Sequence, residues 1–226
     1  MREILGRRRR LRFRRKGMPA PLDAALAFSA WRWPVVPGAA LKATGGRGTR
    51  GTGCSCPDPE CAVPGAHPFD PNLLAATYDE RMVRWWWTNR PTAPVVLATG
   101  GSAPCAISLP AVAGARALAA LDRDGVRLGP VVATPTRWSI LVAPYGLERL
   151  GDLLYAKPWV PSSLRFHSGG GYLVLPPSEA AGGQVRWERG PLPGSSAPWL
   201  PDVEAVVDAL VRASTSAPDE GSRLAY

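Results

Sequence analysis

PVVLATG (residues 94–100) and PCAISLP (residues 104–110) are the two runs that decide the fold class of this chain. Both are short, apolar and bounded by Gly or Pro, which is typical of buried strands. The run AVAGARALAALDRDG (111–125) follows them with apolar residues at helical spacing. No charged side chain occurs between Arg90 and Arg116, but prolines and glycines break this stretch too often for a membrane span, because lipid cannot satisfy an exposed backbone. We therefore predict two buried strands followed by a helix.

Strands and helices alternate along the rest of the chain. Four further helices are predicted from apolar periodicity, at residues 21–33, 80–90, 147–157 and 202–213. Asp79 is expected to cap the second of these, and Pro91 to end it. Further strands are predicted at residues 130–135 and 137–144, on both sides of a glycine turn within 162–178, and at an edge position at 184–189. Residues 38–53 are predicted to form a flexible Gly/Thr loop. This order indicates an α/β or α+β domain with a mixed sheet and flanking helices.

The net charge of +9 is concentrated in the first sixteen residues, which contain nine Lys or Arg and one Glu. The other eighteen basic and seventeen acidic residues nearly cancel. Such a block either stays a solvated arm or binds a polyanion by releasing counterions. The candidate nucleic-acid-binding residues are in this arm: Arg7, Arg8, Arg9, Arg10, Arg12, Arg14, Arg15 and Lys16.

We divide the chain into a basic disordered arm (1–18), a folded body (19–213) and a flexible tail (214–226). The arm lacks the apolar core of a secretory signal, so we expect a soluble protein of the cytoplasm. In that reducing compartment, clustered cysteines favour a metal site over disulfides.

CSCPDPECAVPGAH (54–67) contains three of the four cysteines and one of the two histidines. Thiolates and imidazoles are the ligands that zinc prefers, and four of them close a tetrahedral structural site. The Cys-x-Cys spacing is tighter than usual, so the alternative is a loop of small residues with a chance histidine. Cys105 is interpreted as a small core residue. The candidate zinc ligands, in a loop over 53–68, are Cys54, Cys56, Cys61 and His67.

Several motifs occur in an order that resembles the bifunctional DNA primase/polymerase (prim-pol) family, a branch of the archaeo-eukaryotic primase superfamily. The motifs are AALAFSAWRWPVVPG (24–38), PGAHP (64–68), DERMVRWWWTNRP (79–91), VVLATGG (95–101) and GGGYLVLPPS (169–178). The resemblance extends over residues 21–190. It implies an RRM-like mixed sheet, nucleotidyl transfer as the family's chemistry, and zinc binding by the Cys/His loop.

The chemistry of that family uses Mg²⁺ or Mn²⁺ ions that carboxylates hold on adjacent strands. The resemblance places these carboxylates near Ser108, Pro110 and Gly169, and none of the three residues is acidic. A histidine that would contact the incoming triphosphate is replaced by Ser139. The resemblance thus implies a nucleotide groove without its metal ligands, and the candidate nucleotide-binding residues are Arg137, Ser139, Arg165 and His167.

The loss of carboxylates does not depend on the alignment. Every strand predicted between residues 94 and 175 lacks Asp and Glu. The acids of this span fall on predicted helices or at their ends, where exposed carboxylates are common: Asp122, Asp124, Glu148 and Asp152. We predict a prim-pol fold that has lost its polymerase centre.

Three functions stay open at this point. The favoured one is a catalytically degenerate prim-pol-like domain that binds a nucleotide or a nucleic acid, either single-stranded DNA or a primer-template. The second is an active DNA primase/polymerase in which unrecognised ligands hold Mg²⁺ or Mn²⁺. The third is a protein-interaction module, for which the Trp85–Trp87 region offers a surface. A helix stripe buries only two of these indoles, so at least one should lie near the surface, where it could also stack on a base.

Overall fold

The computed structural model describes residues 20–44, 51–192 and 196–215. The basic arm, with the candidates Arg7 to Lys16, lies outside these residues, as does most of the predicted tail. The helices are α1 (Pro21–Ala30), α2 (Glu80–Asn89), α3 (Ala111–Arg123), α4 (Leu147–Tyr155) and α5 (Val203–Thr215), with a 3-10 turn at Leu73–Ala75. The strands are β1 (Val35–Pro37), β2 (Leu41–Thr44), β3 (Gly51–Cys54), β4 (Val95–Ala98), β5 (Cys105–Pro110), β6 (Val131–Ala133), β7 (Arg137–Val142), β8 (Arg165–His167), β9 (Tyr172–Leu175), β10 (Ser178–Ala180) and β11 (Gly183–Arg189).

The described strands form three sheets. The largest has six strands in the order β10-β11-β6-β7-β5-β8, the second has the order β1-β4-β9, and β2 pairs with β3. Each pairing of described strands is antiparallel. The α+β class with flanking helices is confirmed, but the described pairings include no parallel one, so the predicted mixed sheet is not found among the described strands. The structure adds that the strands are divided between two principal sheets.

The six-stranded sheet is buried on both faces, which explains why its strands are apolar without alternation. Ala106 and Leu141 point to the face that packs against the three-stranded sheet, α1 and α2. Ile107 and Ile140, one position away on the same strands, point to the face covered by α3, α4 and α5. The predicted strands 94–100 and 104–110 are confirmed as β4 and β5. Among the described residues, no helix has the length and apolar character that crossing a membrane requires.

Helix α2 begins and ends as its sequence predicts. The Oδ1 of Asp79 accepts a hydrogen bond of 2.9 Å from the backbone N–H of Met82, and the last helical residue precedes Pro91 by two positions. Trp86 and Trp87 are buried, whereas Trp85 is 58% exposed. The prediction that the helix would bury only two of the three indoles is confirmed.

The prediction of a flexible loop over residues 38–53 is wrong at both ends of that segment. Leu41 pairs with Cys54 and Thr44 with Gly51, so β2 and β3 form a hairpin. Apolar and polar residues alternate only over the four residues of β2, and Gly, Thr and Arg fill most of the rest, so the pattern was too short to indicate a strand.

Two other details also differ from the sequence prediction. The strands on either side of the glycine turn, β8 and β9, belong to different sheets, because β8 pairs with β5 and β9 pairs with β4. The strand β11 is not at an edge, since it pairs with β10 on one side and with β6 on the other. The partner β10 has only three residues, which is too short for a recognisable alternation.

Candidate functional site

A cluster of polar side chains lies on one face of the six-stranded sheet, at one end of β5, β7 and β8. Ser108 is paired with Ser139 on β7 and with Arg165 on β8. Arg137 is two residues from Ser139, and His167 is two residues from Arg165, so side-chain alternation places all five on the same face. The four candidate nucleotide-binding residues are therefore brought together around Ser108.

Hydrogen bonds fix the Arg137 guanidinium within this cluster. Its Nε–H donates to the Oγ of Ser108 at 3.1 Å, and its Nη2 donates to the carbonyls of Ser108 at 2.8 Å and Ser163 at 2.9 Å. The Oγ of Ser108 also lies 3.0 Å from the Nε2 of His167. Because Arg137 already donates to this oxygen, we assign the hydroxyl hydrogen of Ser108 to the His167 nitrogen. The Nη1 of Arg137 has no acceptor in the part of the chain that the structure describes.

The cluster is cationic and partly shielded from water. Burial, together with the charge of Arg165, lowers the pKa of Arg137, although a guanidinium stays charged at neutral pH. Burial first, and then the charge of Arg137, lowers the pKa of His167 below its ordinary value, against a hydrogen bond to the Tyr172 backbone that raises it. His167 is therefore neutral at pH 7, and the two arginines provide the charge of the site.

No Asp or Glu among the described residues forms a hydrogen bond or ion pair with these side chains. Two acids at or beside the helices have other partners. Asp122 pairs with Arg189, and Asp202 pairs with Arg149 at 2.9 Å. The described strands from β4 to β9 contain no carboxylate.

The other two positions that the resemblance singled out border the same cluster. Pro110 ends β5 and is paired with Arg137. Gly169 follows β8, and its backbone packs so closely on Gly100 that a Cβ on Gly100 would lie 2.4 Å from the Gly169 nitrogen. Neither position provides an anionic ligand for a metal ion.

The four candidate metal ligands meet in the loop after β3. The sulfur atoms of Cys54, Cys56 and Cys61 and a ring nitrogen of His67 all lie within 4.8 Å of one another. The Nε2 of His67 is 3.2 Å from the Sγ of Cys54 and 3.4 Å from the Sγ of Cys61. Cys105 is separate from this group and is buried in the core beside Tyr145, as predicted.

The protonation of the cluster is suited to a cation. The Nδ1 of His67 is 2.8 Å from the carbonyl oxygen of Pro68, so the N–H belongs on Nδ1 and Nε2 is left as the ligand atom. Burial raises the pKa of Cys54, but hydrogen bonds, chiefly from the Cys56 and Gly65 backbone, outweigh it and lower that pKa to about 6. Burial and the neighbouring cysteines raise the pKa of Cys61 to about 11. A metal ion would relieve this repulsion between sulfurs, and the donor set is compatible with zinc.

Tyr172 interacts with one residue of the Cys/His loop and with one residue of the polar cluster. The backbone of the loop is tied to the body by hydrogen bonds from Ala39 to the carbonyl of His67 and from Ala181 to the carbonyl of Pro64. Burial and the charge of Cys61 raise the pKa of Tyr172, and the backbone of Tyr172 is the hydrogen-bond partner of His167. The first residue of β9 therefore interacts with both candidate sites.

Two contributors to the site are absent from the sequence prediction. They are the carbonyl of Ser163, which holds Arg137, and the backbone of Tyr172, which holds His167. Both act through the main chain, so no side-chain pattern could have indicated them.

The architecture and the two clusters define an α+β domain that has a Cys/His loop and a cationic polar cluster on its six-stranded sheet. Residues 24–202 match the family described as bifunctional DNA primase/polymerase, N-terminal, or Prim-Pol. The match covers most of the chain, which therefore belongs to the Prim-Pol family. No curated protein and no solved structure matches it.

Proposed function

We propose that this Prim-Pol domain binds the phosphate groups of a nucleic acid or nucleotide through Arg137 and Arg165 and does not catalyse nucleotidyl transfer. The observation that carries the proposal is that the guanidinium groups of Arg137 and Arg165 lie close enough to interact, on strands β7 and β8, which contain no Asp or Glu. Guanidinium groups bind phosphate oxygens through paired, charge-assisted hydrogen bonds. A ligand phosphate is thus the natural counterion of this face.

The absence of acids argues against catalysis at the same face. Two Mg²⁺ or Mn²⁺ ions need several anionic oxygens to hold them. The cluster offers only neutral oxygens, from Ser108 and Ser139, beside the positive charges of the arginines. An active polymerase would have to bring its metal ligands from elsewhere in the chain.

The basic arm supports nucleic acid as the ligand. Its nine Lys or Arg all occur within the first sixteen residues, and such a block gains affinity for a polyanion by counterion release. We propose that the arm contacts the strand at successive phosphates, whereas the sheet cluster binds one phosphate group.

We also propose that the Cys/His cluster holds one structural zinc ion. Three thiolates and one imidazole fill a tetrahedral shell and leave no position for a substrate. The shell would join the end of β3 to His67, whose carbonyl accepts from Ala39 at 2.9 Å. In this role the zinc ion stabilises the loop and takes no part in chemistry.

Filter binding of single-stranded DNA across a salt series, combined with a primer-synthesis assay in Mn²⁺, tests this function. We expect binding that weakens as the salt concentration rises, and no extension products. Extension products would show an active primase or polymerase. If the protein shows no salt-sensitive binding of DNA, only a protein-interaction role is left for the fold.

A further inference from the structure

We infer that the Arg137 site binds the phosphate tail of a free nucleotide directly, without an accompanying divalent cation. The inference rests on the proposed function and specifies its ligand. A nucleotide in solution is present either as a free polyanion or as its magnesium complex. The charge of the site determines which of these two forms it binds.

Arg137 is held in place before any ligand arrives. Three of its N–H groups are used within the protein, on the Oγ and carbonyl of Ser108 and on the carbonyl of Ser163. These contacts leave the two hydrogens of Nη1 without an acceptor among the described residues. A guanidinium fixed in this way loses little side-chain entropy when it binds an anion, which favours affinity.

Arg165 provides a second cation beside the first. It is paired with Ser108 across the β5–β8 ladder, its side chain is exposed, and its charge contributes to the lowered pKa of Arg137. Arg165 itself forms no hydrogen bond or ion pair with any described residue. The two guanidinium groups therefore repel each other until an anion lies between them.

This charge distribution disfavours a metal ion. A divalent cation close to Arg137 would be repelled by both guanidinium groups and would find only hydroxyl and carbonyl oxygens as ligands. The oxygen of Ser108 is already shared by Arg137 and His167. Magnesium bound to a nucleotide also reduces the negative charge that the arginines attract. Magnesium should thus compete with the site for the nucleotide.

Calorimetric titration of the zinc-loaded full chain with dATP, once in buffer without added divalent cations or chelator and once in excess MgCl₂, tests the inference. We expect the affinity without magnesium to exceed the affinity in magnesium. Arg137→Gln should weaken dATP binding about tenfold or more, because it removes charge-assisted hydrogen bonds. Arg165→Gln should weaken it about threefold, since its side chain is exposed. Arg116→Gln, on the exposed side of α3, removes the same charge and should leave the affinity unchanged.

Arg165→Gln keeps the test independent of folding, because this exposed side chain forms no hydrogen bond or ion pair with any described residue. Binding of dATP that requires magnesium would overturn the inference, and so would an affinity that Arg165→Gln leaves unchanged. Salt-sensitive binding of single-stranded DNA without any binding of dATP would also overturn it, while the proposed function would stand. Loss of both kinds of binding would remove the two proposals together.

Discussion

The Oγ of Ser108 lies 3.0 Å from the Nε2 of His167, although 59 residues separate them along the chain. The contact joins β5 to β8 at the place where Arg137 reaches across from β7. A serine, a neutral imidazole and a guanidinium are thus linked by hydrogen bonds on a face without described carboxylates. This arrangement suits the binding of an anion and provides little for the binding of a metal ion.

The pKa of His167 predicts how the stability of the protein depends on pH. Burial and Arg137 hold this pKa below its ordinary value of 6.5 in the folded state. As the pH falls through about 6.5 the unfolded chain takes up a proton that the folded chain does not, so the free energy of unfolding decreases. We expect the wild type to lose more stability than His167→Gln between about pH 7.5 and pH 5.5. Urea unfolding at both pH values measures this difference.

Other acid-sensitive groups contribute equally to the pH dependence of both proteins, so their contribution cancels in the difference between the wild type and His167→Gln. A metal site loses affinity at low pH because its ligands take up protons, but the Cys/His cluster is the same in the wild type and in His167→Gln. An identical pH dependence of the two proteins would contradict a lowered pKa at His167.

The zinc proposal predicts the metal content of two cysteine variants. Purified wild-type protein should contain about one zinc ion per chain, as one four-ligand site requires. Cys61→Ser should lose the metal, and its unfolding midpoint should be lower than that of the wild type. Cys105→Ala is the matched control, because Cys105 is fully buried but outside the cluster. Elemental analysis of the purified proteins provides the measurement, and equal zinc in all three would contradict the proposed ligands.

Helix α2 offers a matched pair of tryptophan substitutions. Trp87 is 1% exposed and its Nε1 donates to the carbonyl of Ala93 at 3.0 Å, whereas Trp85 is 58% exposed. Trp87→Ala should lower the free energy of unfolding by about 3–5 kcal/mol, and Trp85→Ala should change it by less than about 0.5 kcal/mol. Denaturant unfolding monitored by circular dichroism measures both values. A large effect of Trp85→Ala would contradict its position at the surface.

Deletion of residues 1–16 tests the role of the basic arm. Each phosphate contact with single-stranded DNA contributes a slope of about −0.7 to the plot of log affinity against log salt concentration. If the arm contacts successive phosphates, the truncated protein should bind more weakly and with a slope several units shallower than the full chain. Filter binding at a series of salt concentrations measures the slope, and an unchanged slope would refute this role.

The helices and central strands could be predicted because local patterns determine them. The carboxylate of Asp79 marks the start of α2, and the apolar runs at 94–100 and 104–110 have the length and boundaries of buried strands. The family could be identified from the order of several motifs, and the Cys/His cluster from its residue types. These features depend on residues close together in the sequence.

The rest depended on pairings between distant segments. No local pattern shows that β8 and β9 join different sheets, or that β2 and β3 pair within a Gly- and Thr-rich segment. The nucleotide-binding candidates were predicted one by one, but their convergence follows from the register that sets Ser108 opposite Ser139 and Arg165. That register is a property of the assembled sheet.

Primer extension in Mn²⁺ is the most direct test of the central claim. The assay would contain a labelled primer-template, all four deoxynucleotides and the purified full chain, with an active polymerase in a parallel reaction as the positive control. We predict no labelled product longer than the primer, because no described Asp or Glu lies with Ser108, Arg137 and Arg165 to hold the metal ions. A ladder of extended products from the purified chain would contradict this prediction.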